Sequence, residues 1–331
     1  MPAVSVIVTC YNLGQYLDEA VESVLAQTFQ DFEILIVDDG STDPDTQALL
    51  AHYARPKTRV IRTAHRGIAA ARNTGLEESK GEYLCIFDAD DRLLPRFFEK
   101  TIDVLRRDAT LTFCSTWLRT FGDEHWDWTP TRCDIPTLLW EDTVLTASPV
   151  RRDAVVAIGG FDTGMPEQGD DDWDLWLGLV AAGYRGTILP EVLFEYRRRA
   201  VSTSRHCWYG PGHLPLLRYR VAKYKHLYAQ HLQDVLLHQD DATSALLRRN
   251  DELERYLASQ LEPTLALRQA ELRTLEEKLA PLDAHSAHVA NLQAALNNVT
   301  SEAAALRTSM SWRVTAPLRT VYGWWLRRTG A

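Results

Sequence analysis

The sequence predicts an α/β domain built on a mostly parallel sheet, followed by an α-helical coiled-coil extension. Three observations carry this expectation. The first 120 residues alternate short β-branched runs with stretches of helical spacing, joined by short links. Acidic motifs stand directly after two of the β-runs. Beyond residue 243, Trp and Gly drop out until the C-terminal tail, and Ala, Leu, Glu, Gln and Arg take over.

Val4-Ser-Val-Ile-Val-Thr9 is nearly continuous and β-branched, as a strand buried on both faces should be. Residues 13–26 then place Leu13, Tyr16, Leu17, Ala20, Val21, Val24 and Leu25 at helical spacing. Phe32-Glu-Ile-Leu-Ile-Val37 is the next strand, and a helix follows near 46–53. Val60-Ile61, a helix over 68–78, a strand over Tyr83–Phe87 and a helix at 95–106 continue the alternation. Such a series gives parallel strands with right-handed crossovers, and ligands then bind beyond the carboxyl ends of the strands. From about 120 to 240 the chain is less regular and rich in Trp, Pro and Asp. It reads as the second half of the same domain, which closes at 240. Over 241–308, Leu265, Leu272, Leu275, Leu279 and Leu282 recur at heptad spacing. So do Val289, Leu292, Leu296, Val299, Ala303 and Leu306. The two series fall out of register near Pro281, which predicts a kink or break there. An oligomerising coiled coil suits this pattern better than a helix packed on its own domain. Residues 309–331 form a separate tail.

Composition bounds the function. The 331 residues are 45% apolar and 24% charged, an ordinary globular balance. A net charge of −9 opposes nucleic-acid binding, which needs a basic surface to displace counterions. The five cysteines (Cys10, Cys85, Cys114, Cys133, Cys207) are odd in number and show no paired spacing, which fits reduced thiols in a cytosolic protein. The apolar start has no basic lead and ends within ten residues, too short for a signal peptide. No later run reaches the ~18 apolar residues of a membrane span. A cytoplasmic protein is expected, in contact with a membrane at most at its surface.

Four motifs bear chemistry. Val37-Asp38-Asp39-Gly40-Ser41-Thr42-Asp43 ends the second strand. There a carboxylate can read a nucleobase N–H or ribose hydroxyls, while Gly40 permits a tight turn and Ser41 or Thr42 caps the next helix. Asp88-Ala89-Asp90-Asp91 ends another strand. Three carboxylates within four residues repel one another, and a hard divalent cation, Mg²⁺ or Mn²⁺, relieves that repulsion while binding substrate phosphates. A helix start capped by Asp90 or Asp91 would account for one of the three. Gly169-Asp170-Asp171-Asp172-Trp173 opens a helix around Asp172. Its carboxylates suit either the helix dipole or a general base. Arg72, in a helix of small residues, can contact phosphate or orient the acidic loops; the alternative is a purely structural Arg–Asp pair.

Together with Ala71-Arg-Asn-Thr-Gly75 and Gly159-Gly160-Phe161-Asp162, these motifs resemble family 2 glycosyltransferases, inverting enzymes of GT-A fold. The resemblance runs in order from residue 2 to about 205. It implies that Thr9, Tyr11 and Asp39 grip the nucleoside of a nucleotide-diphosphate sugar, with Asp39 reading the base. It further implies that Arg72 borders the diphosphate, that Asp88 and Asp90 hold the metal–diphosphate, and that Asp172 is the general base. The 120–240 half would wall the acceptor side. Two departures stand out. Asp171 replaces the usual Glu of a Glu-Asp pair. Arg198 and Arg199 stand where many members carry a metal-binding His, and an arginine there can clamp phosphate instead.

The tail segment Ser309–Arg319 resembles one found in proteins that build bacterial surface polysaccharides. After Glu302 come five arginines and no acid, with Trp312, Tyr322, Trp324 and Trp325 among them. That mixture suits an anionic membrane surface, the inner face of the cell membrane, or a partner protein. The function so implied is transfer of a sugar to a growing or lipid-linked glycan, with homo-oligomers or a partner held by the coiled coil. A nucleotidyltransferase is disfavoured because Cys10-Tyr-Asn-Leu-Gly14 offers no Gly-rich basic phosphate loop. A non-catalytic coiled-coil scaffold that keeps a nucleotide-sugar domain is disfavoured by the intact acidic motifs.

Overall fold

The first strands are buried on both faces, and their alternate residues feed two different cores. In the computed structural model, which describes residues 1–199, 210–279 and 286–308, four parallel strands come first: β1 (Val4–Cys10), β2 (Phe32–Asp38), β3 (Thr58–Arg62) and β4 (Tyr83–Asp88). Val4, Val6 and Val8 of β1 enter one core and Ile7 the other. β2 divides likewise into Ile34 and Ile36 against Leu35 and Val37, and β4 into Cys85 and Phe87 against Leu84 and Ile86. A period of two in a strand sealed on both sides dictates this. Each fully buried aliphatic side chain stabilises the fold by about 1.5–3 kcal/mol.

Helices supply the two covers. α1 (Gly14–Leu25) and α2 (Pro44–Ala51) pack on the first face. α3 (Ile68–Glu78) packs on the second, and α4 (Phe97–Arg107) returns to the first with Phe97, Phe98, Ile102 and Leu105. α5 (Ile135–Trp140), α6 (Arg152–Ala157) and α7 (Asp171–Ala181) complete the second layer. α3 lies very close to the sheet, because a Cβ on Gly75 would meet Ile7 Cγ2 at 2.3 Å.

The remaining strands add short antiparallel pairings to the expected, mostly parallel sheet. They are β5 (Arg92–Leu93), β6 (Leu111–Gly122), β7 (Asp127–Trp128), β8 (Val150–Arg151) and β9 (Arg185–Arg198), and the order is β3-β2-β1-β4-β8-β6-β9-β5 with β7 beside β6. β8 is antiparallel to both β4 and β6, while β9 runs parallel to β6 and antiparallel to β5. β6 and β7 are joined by a hairpin too short for a crossover, so they must be antiparallel. The β6–β9 register slips from Thr116↔Leu189 to Trp117↔Val192, leaving Pro190 unpaired, as a residue without an N–H requires.

α8 (His213–Lys223) and α9 (Lys225–Gln230) follow, and the chain divides into two compact units, Met1–Val235 and Leu236–Ala331. The division falls within α10 (Leu232–Tyr256). After a π-helical turn at Leu257–Leu261 come α11 (Glu262–Leu279) and α12 (Ser286–Thr308), which pack on each other. Leu257 and Leu261 meet Val299 and Ala303, so the two helices run antiparallel. Leu272 and Ala303 are buried, and Leu265, Leu275, Val289, Leu292, Leu296 and Val299 half-buried, while nearly all the residues between are exposed. The described heptad positions thus pack α11 against α12 within the chain. Pro281, Cys207 and the tail 309–331 lie outside the described residues. Among the described residues, no helix is long and apolar enough to cross a membrane, and Cys10, Cys85, Cys114 and Cys133 are free thiols.

Candidate active site

Strand register sets the first residues of the site side by side. Thr9 lies between Val37 and Asp88, and Cys10 faces Asp38, at the carboxyl edge of the sheet. Thr9 Oγ1 donates to Asp88 Oδ1 at 3.1 Å. Beyond β2 the backbone turns at Gly40, with φ +68°, where a Cβ would lie 2.6 Å from His65 N. Ser41 and Thr42 do not cap α2. Asp43 does, because its Oδ2 accepts the Thr46 N–H at 2.9 Å. Ser41 instead takes the Asn12 N–H, and Asn12 Oδ1 accepts from the N–H groups of both Thr42 and Asp43.

Asp39 is buried and spans a neighbouring loop. Its Oδ1 accepts the Arg66 N–H and its Oδ2 the Gly67 N–H, each at 2.9 Å. His65 Nδ1 lies 2.9 Å from the same Oδ2, and the His65 ring stacks on Tyr11 with centroids 4.2 Å apart. Tyr11, Asp39 and His65 therefore form one ledge over the ends of β1 and β2.

The acidic motif after β4 is balanced by arginines from elsewhere. Asp88 Oδ1 pairs with Arg72 at 3.2 Å, and Asp90 Oδ2 with Arg199 at 2.7 Å. Asp91 Oδ1 accepts the Arg197 N–H at 2.8 Å. Burial raises the pKa of Asp90 against the pull of Arg199; it raises that of Asp91 well above the usual range, with the Asp90 and Asp88 charges adding to it. Neither Asp90 nor Asp91 caps α4, whose first residue follows Arg96 with no side-chain cap. This donor set fits a hard cation that takes the rest of its shell from phosphate and water. A cage of three or more His, Cys, Asp or Glu side chains does not occur among the described residues.

The head of α7 carries four carboxylates with separate fates. Asp170 pairs with Arg220 at 2.7 Å, Asp171 with Arg72 at 2.6 Å and Asp174 with Lys223 at 2.8 Å. Arg72 is fully enclosed and bridges Asp171 to Asp88, so the structural Arg–Asp pair is real and ties α7 to the acidic motif. Burial opposes the Arg72 charge, and Asp171 and Asp88 outweigh it. Burial pushes Asp171 up to about 6, with Arg72 opposing and Asp172 adding. Asp172 is in no ion pair among the described residues; the Thr146 hydroxyl donates to its Oδ2. Asp142 lies in the same cleft, raised well above the carboxylate range by burial and then by the Asp172 charge.

Thr9, Tyr11, Asp39, Arg72, Asp88, Asp90 and Asp172 all line one cleft of about 530 Å³, as does Asp171. The structure thus brings these residues together in one cleft, while Asp38, Ser41, Thr42 and Asp170 do not line it. Sequence reasoning passed over His65, Thr146, Asp142 and the two tryptophans Trp126 and Trp128 that share the cleft. The Trp-rich composition of 117–140 was the one signal for the last two.

The glycosyl transferase family 2 profile matches residues 5–161, a span that ends before α7 and β9. Chondroitin synthase of Escherichia coli is 38% identical over 125 residues, 38% of this chain and 18% of its own length. Glycosyltransferase GlyG of Streptococcus pneumoniae is 46% identical over 90 residues, 27% of this chain and 30% of its own. The Bacillus subtilis protein EpsE is 27% identical over 211 residues, covering 62% and 76%. The chain therefore spans under a third of two of these relatives and about three quarters of the third. In fold, S. aureus TarS 1–349, solved in complex with UDP-GlcNAc, superposes with a TM-score of 0.56 at 17% identity, over 70% of this chain and 72% of that one. Profile and fold agree: residues 5–161 form a glycosyl transferase family 2 domain of GT-A type.

Proposed function

We propose that the cleft transfers a sugar, with inversion, from a nucleotide-diphosphate donor to a hydroxyl of a growing glycan, such as a bacterial cell-surface polysaccharide. One observation carries the reading. Of the four carboxylates at the head of α7, the one without a cation among the described residues is Asp172, and it opens into the cleft that holds Asp88 and Asp90. A base must stay free of such a partner to accept a proton. UDP-GlcNAc bound to TarS and the polymer named in chondroitin synthase support a nucleotide-sugar donor and a polysaccharide product.

In this mechanism Tyr11 and Asp39 hold the nucleoside, and Arg72 and Arg199 face the diphosphate. The acceptor oxygen attacks the anomeric carbon as the bond to the diphosphate breaks. The hydroxyl proton passes to Asp172 Oδ1 or Oδ2, and nucleoside diphosphate departs with the bonding electron pair. A divalent cation held by Asp88 and Asp90 would neutralise charge on the departing diphosphate. Thr146 and the ion pairs of Asp170, Asp171 and Asp174 fix the base in place.

Thermal denaturation with UDP, GDP and their sugars, with and without Mn²⁺, tests the donor site. A ligand that binds the folded state raises the melting temperature. Because Asp88 and Asp90 are paired with Arg72 and Arg199, Mn²⁺ alone should shift it little and Mn²⁺ with the matching nucleotide several degrees. If no nucleotide diphosphate gives a metal-enhanced shift, the donor-site assignment fails.

A further inference from the structure

We infer that Trp126 and Trp128, together with Asp142, form the platform on which an acceptor saccharide ring lies, its hydroxyl directed at Asp172. The inference rests on the transferase reading above and adds the residues that would recognise the acceptor.

The β6–β7 hairpin is held firmly at both tryptophans. Thr120 N–H donates to the Trp126 carbonyl and Trp126 N–H to Thr120 Oγ1, both at 2.8 Å, and Trp128 pairs with Leu118 in the strand register. Residues two apart in an extended segment face the same way. Trp126 and Trp128 accordingly both line the cleft, while Asp127 between them pairs with Arg119 at 2.7 Å. Trp128 is half-buried and packs on the sheet core, whereas the Trp126 side of the platform is open, with that residue 43% exposed. The Trp126 indole donates from Nε1 to Glu124 Oε2 at 3.3 Å and stays largely open beside a row of carboxylates, and tryptophan is among the residues enriched where partners are anchored.

Polar groups meet the same wall. The Leu145 N–H donates to Ser115 Oγ at 3.1 Å, hanging the 142–146 segment on β6 three residues before Leu118. Asp142, Thr146 and the tryptophans thus share one strand as their support. A pyranose has one face of C–H groups and a rim of hydroxyls. An indole face covers the first through dispersion and the hydrophobic effect, and a carboxyl group accepts from the second. Thr146 donates to Asp172, and Asp142 and both tryptophans line the same cleft, which sets this platform beside the base. The nucleoside ledge of Tyr11, His65 and Asp39 is built from the other half of the domain, on the loops after β1 and β2.

Saturation-transfer NMR tests the platform with methyl glucoside, methyl galactoside and methyl N-acetylglucosaminide as probes, each recorded with UDP and Mn²⁺ present. The ring C–H protons of at least one glycoside should receive saturation in the unaltered chain. That signal should fall at least fivefold in Trp126→Ala and Trp128→Ala and severalfold in Asp142→Asn, with UDP affinity within twofold throughout. Trp126 is exposed, so its variant should keep the parent melting temperature and separates contact from folding. Absence of saturation for all three glycosides, or full signal in both Trp variants, overturns the platform. So does displacement of the glycoside by UDP, which would give the indoles to the donor. Failure of UDP itself to bind the unaltered chain would instead overturn the transferase reading, while the glycoside signal is read independently.

Discussion

Asp171 and Asp172 are adjacent in the chain and opposite in circumstance. Asp171 is sealed against Arg72, and Asp172 faces the cleft, accepting from the Thr146 hydroxyl and the Trp173 N–H and in no ion pair among the described residues. Asp172→Asn keeps shape and hydrogen bonding but cannot take a proton. Turnover should fall by about 10²–10⁴-fold with donor affinity nearly unchanged, measured as initial rate and nucleotide-sugar binding on the same preparation. Near-parental turnover would remove Asp172 from the mechanism. Arg72→Ala makes the contrasting prediction. It leaves a buried Asp171 carboxylate without its partner, a change that costs about 3–5 kcal/mol, and urea unfolding should show a lower midpoint and a free energy of unfolding reduced by that size. The acidic residues were legible in sequence because three carboxylates in four positions are unusual by chemistry alone. Their cations were not, since Arg72 reaches Asp171 across 99 residues and only the fold sets that meeting. Asp39 was legible as a strand-end carboxylate, but its grip on the Arg66 and Gly67 amides was not.

Among elements, the alternation of β1 to α4 could be read closely because β1, β2 and β4 are sealed on both faces and each helix on one. β6 and β9 could not. β6 carries Thr112, Ser115, Thr116 and Thr120 as buried polar positions, and β9 contains Pro190 at its register slip, so neither shows a clean period. The expected cap at Ser41 or Thr42 moved to Asp43, the residue that directly precedes Pro44 at the helix start. Close contact between elements gives a sharp test at α3. Gly75→Ala would press a methyl into Ile7 and should cost about 1–3 kcal/mol through overpacking. Ile7→Ala in the same chain should recover part of that loss, seen as coupling in a double-mutant cycle of melting curves. Additive losses would mean that α3 relaxes away from β1 instead.

At the scale of the molecule, the cleft and every residue assigned to it fall within the first compact unit. A chain ending at Val235 should then fold cooperatively and keep the nucleotide- and Mn²⁺-dependent rise in melting temperature. Loss of that rise in a folded fragment would show that the second unit contributes to donor binding. The heptads of 241–308 were legible as a seam but not as to what closes it, because periodicity names the buried face and not its partner. In the structure the partner of α11 is α12. A seam closed inside one chain obeys unimolecular thermodynamics. Its stability is indifferent to dilution, so this helix pair should persist at the lowest protein levels in a cell, where a seam shared between two chains would come apart.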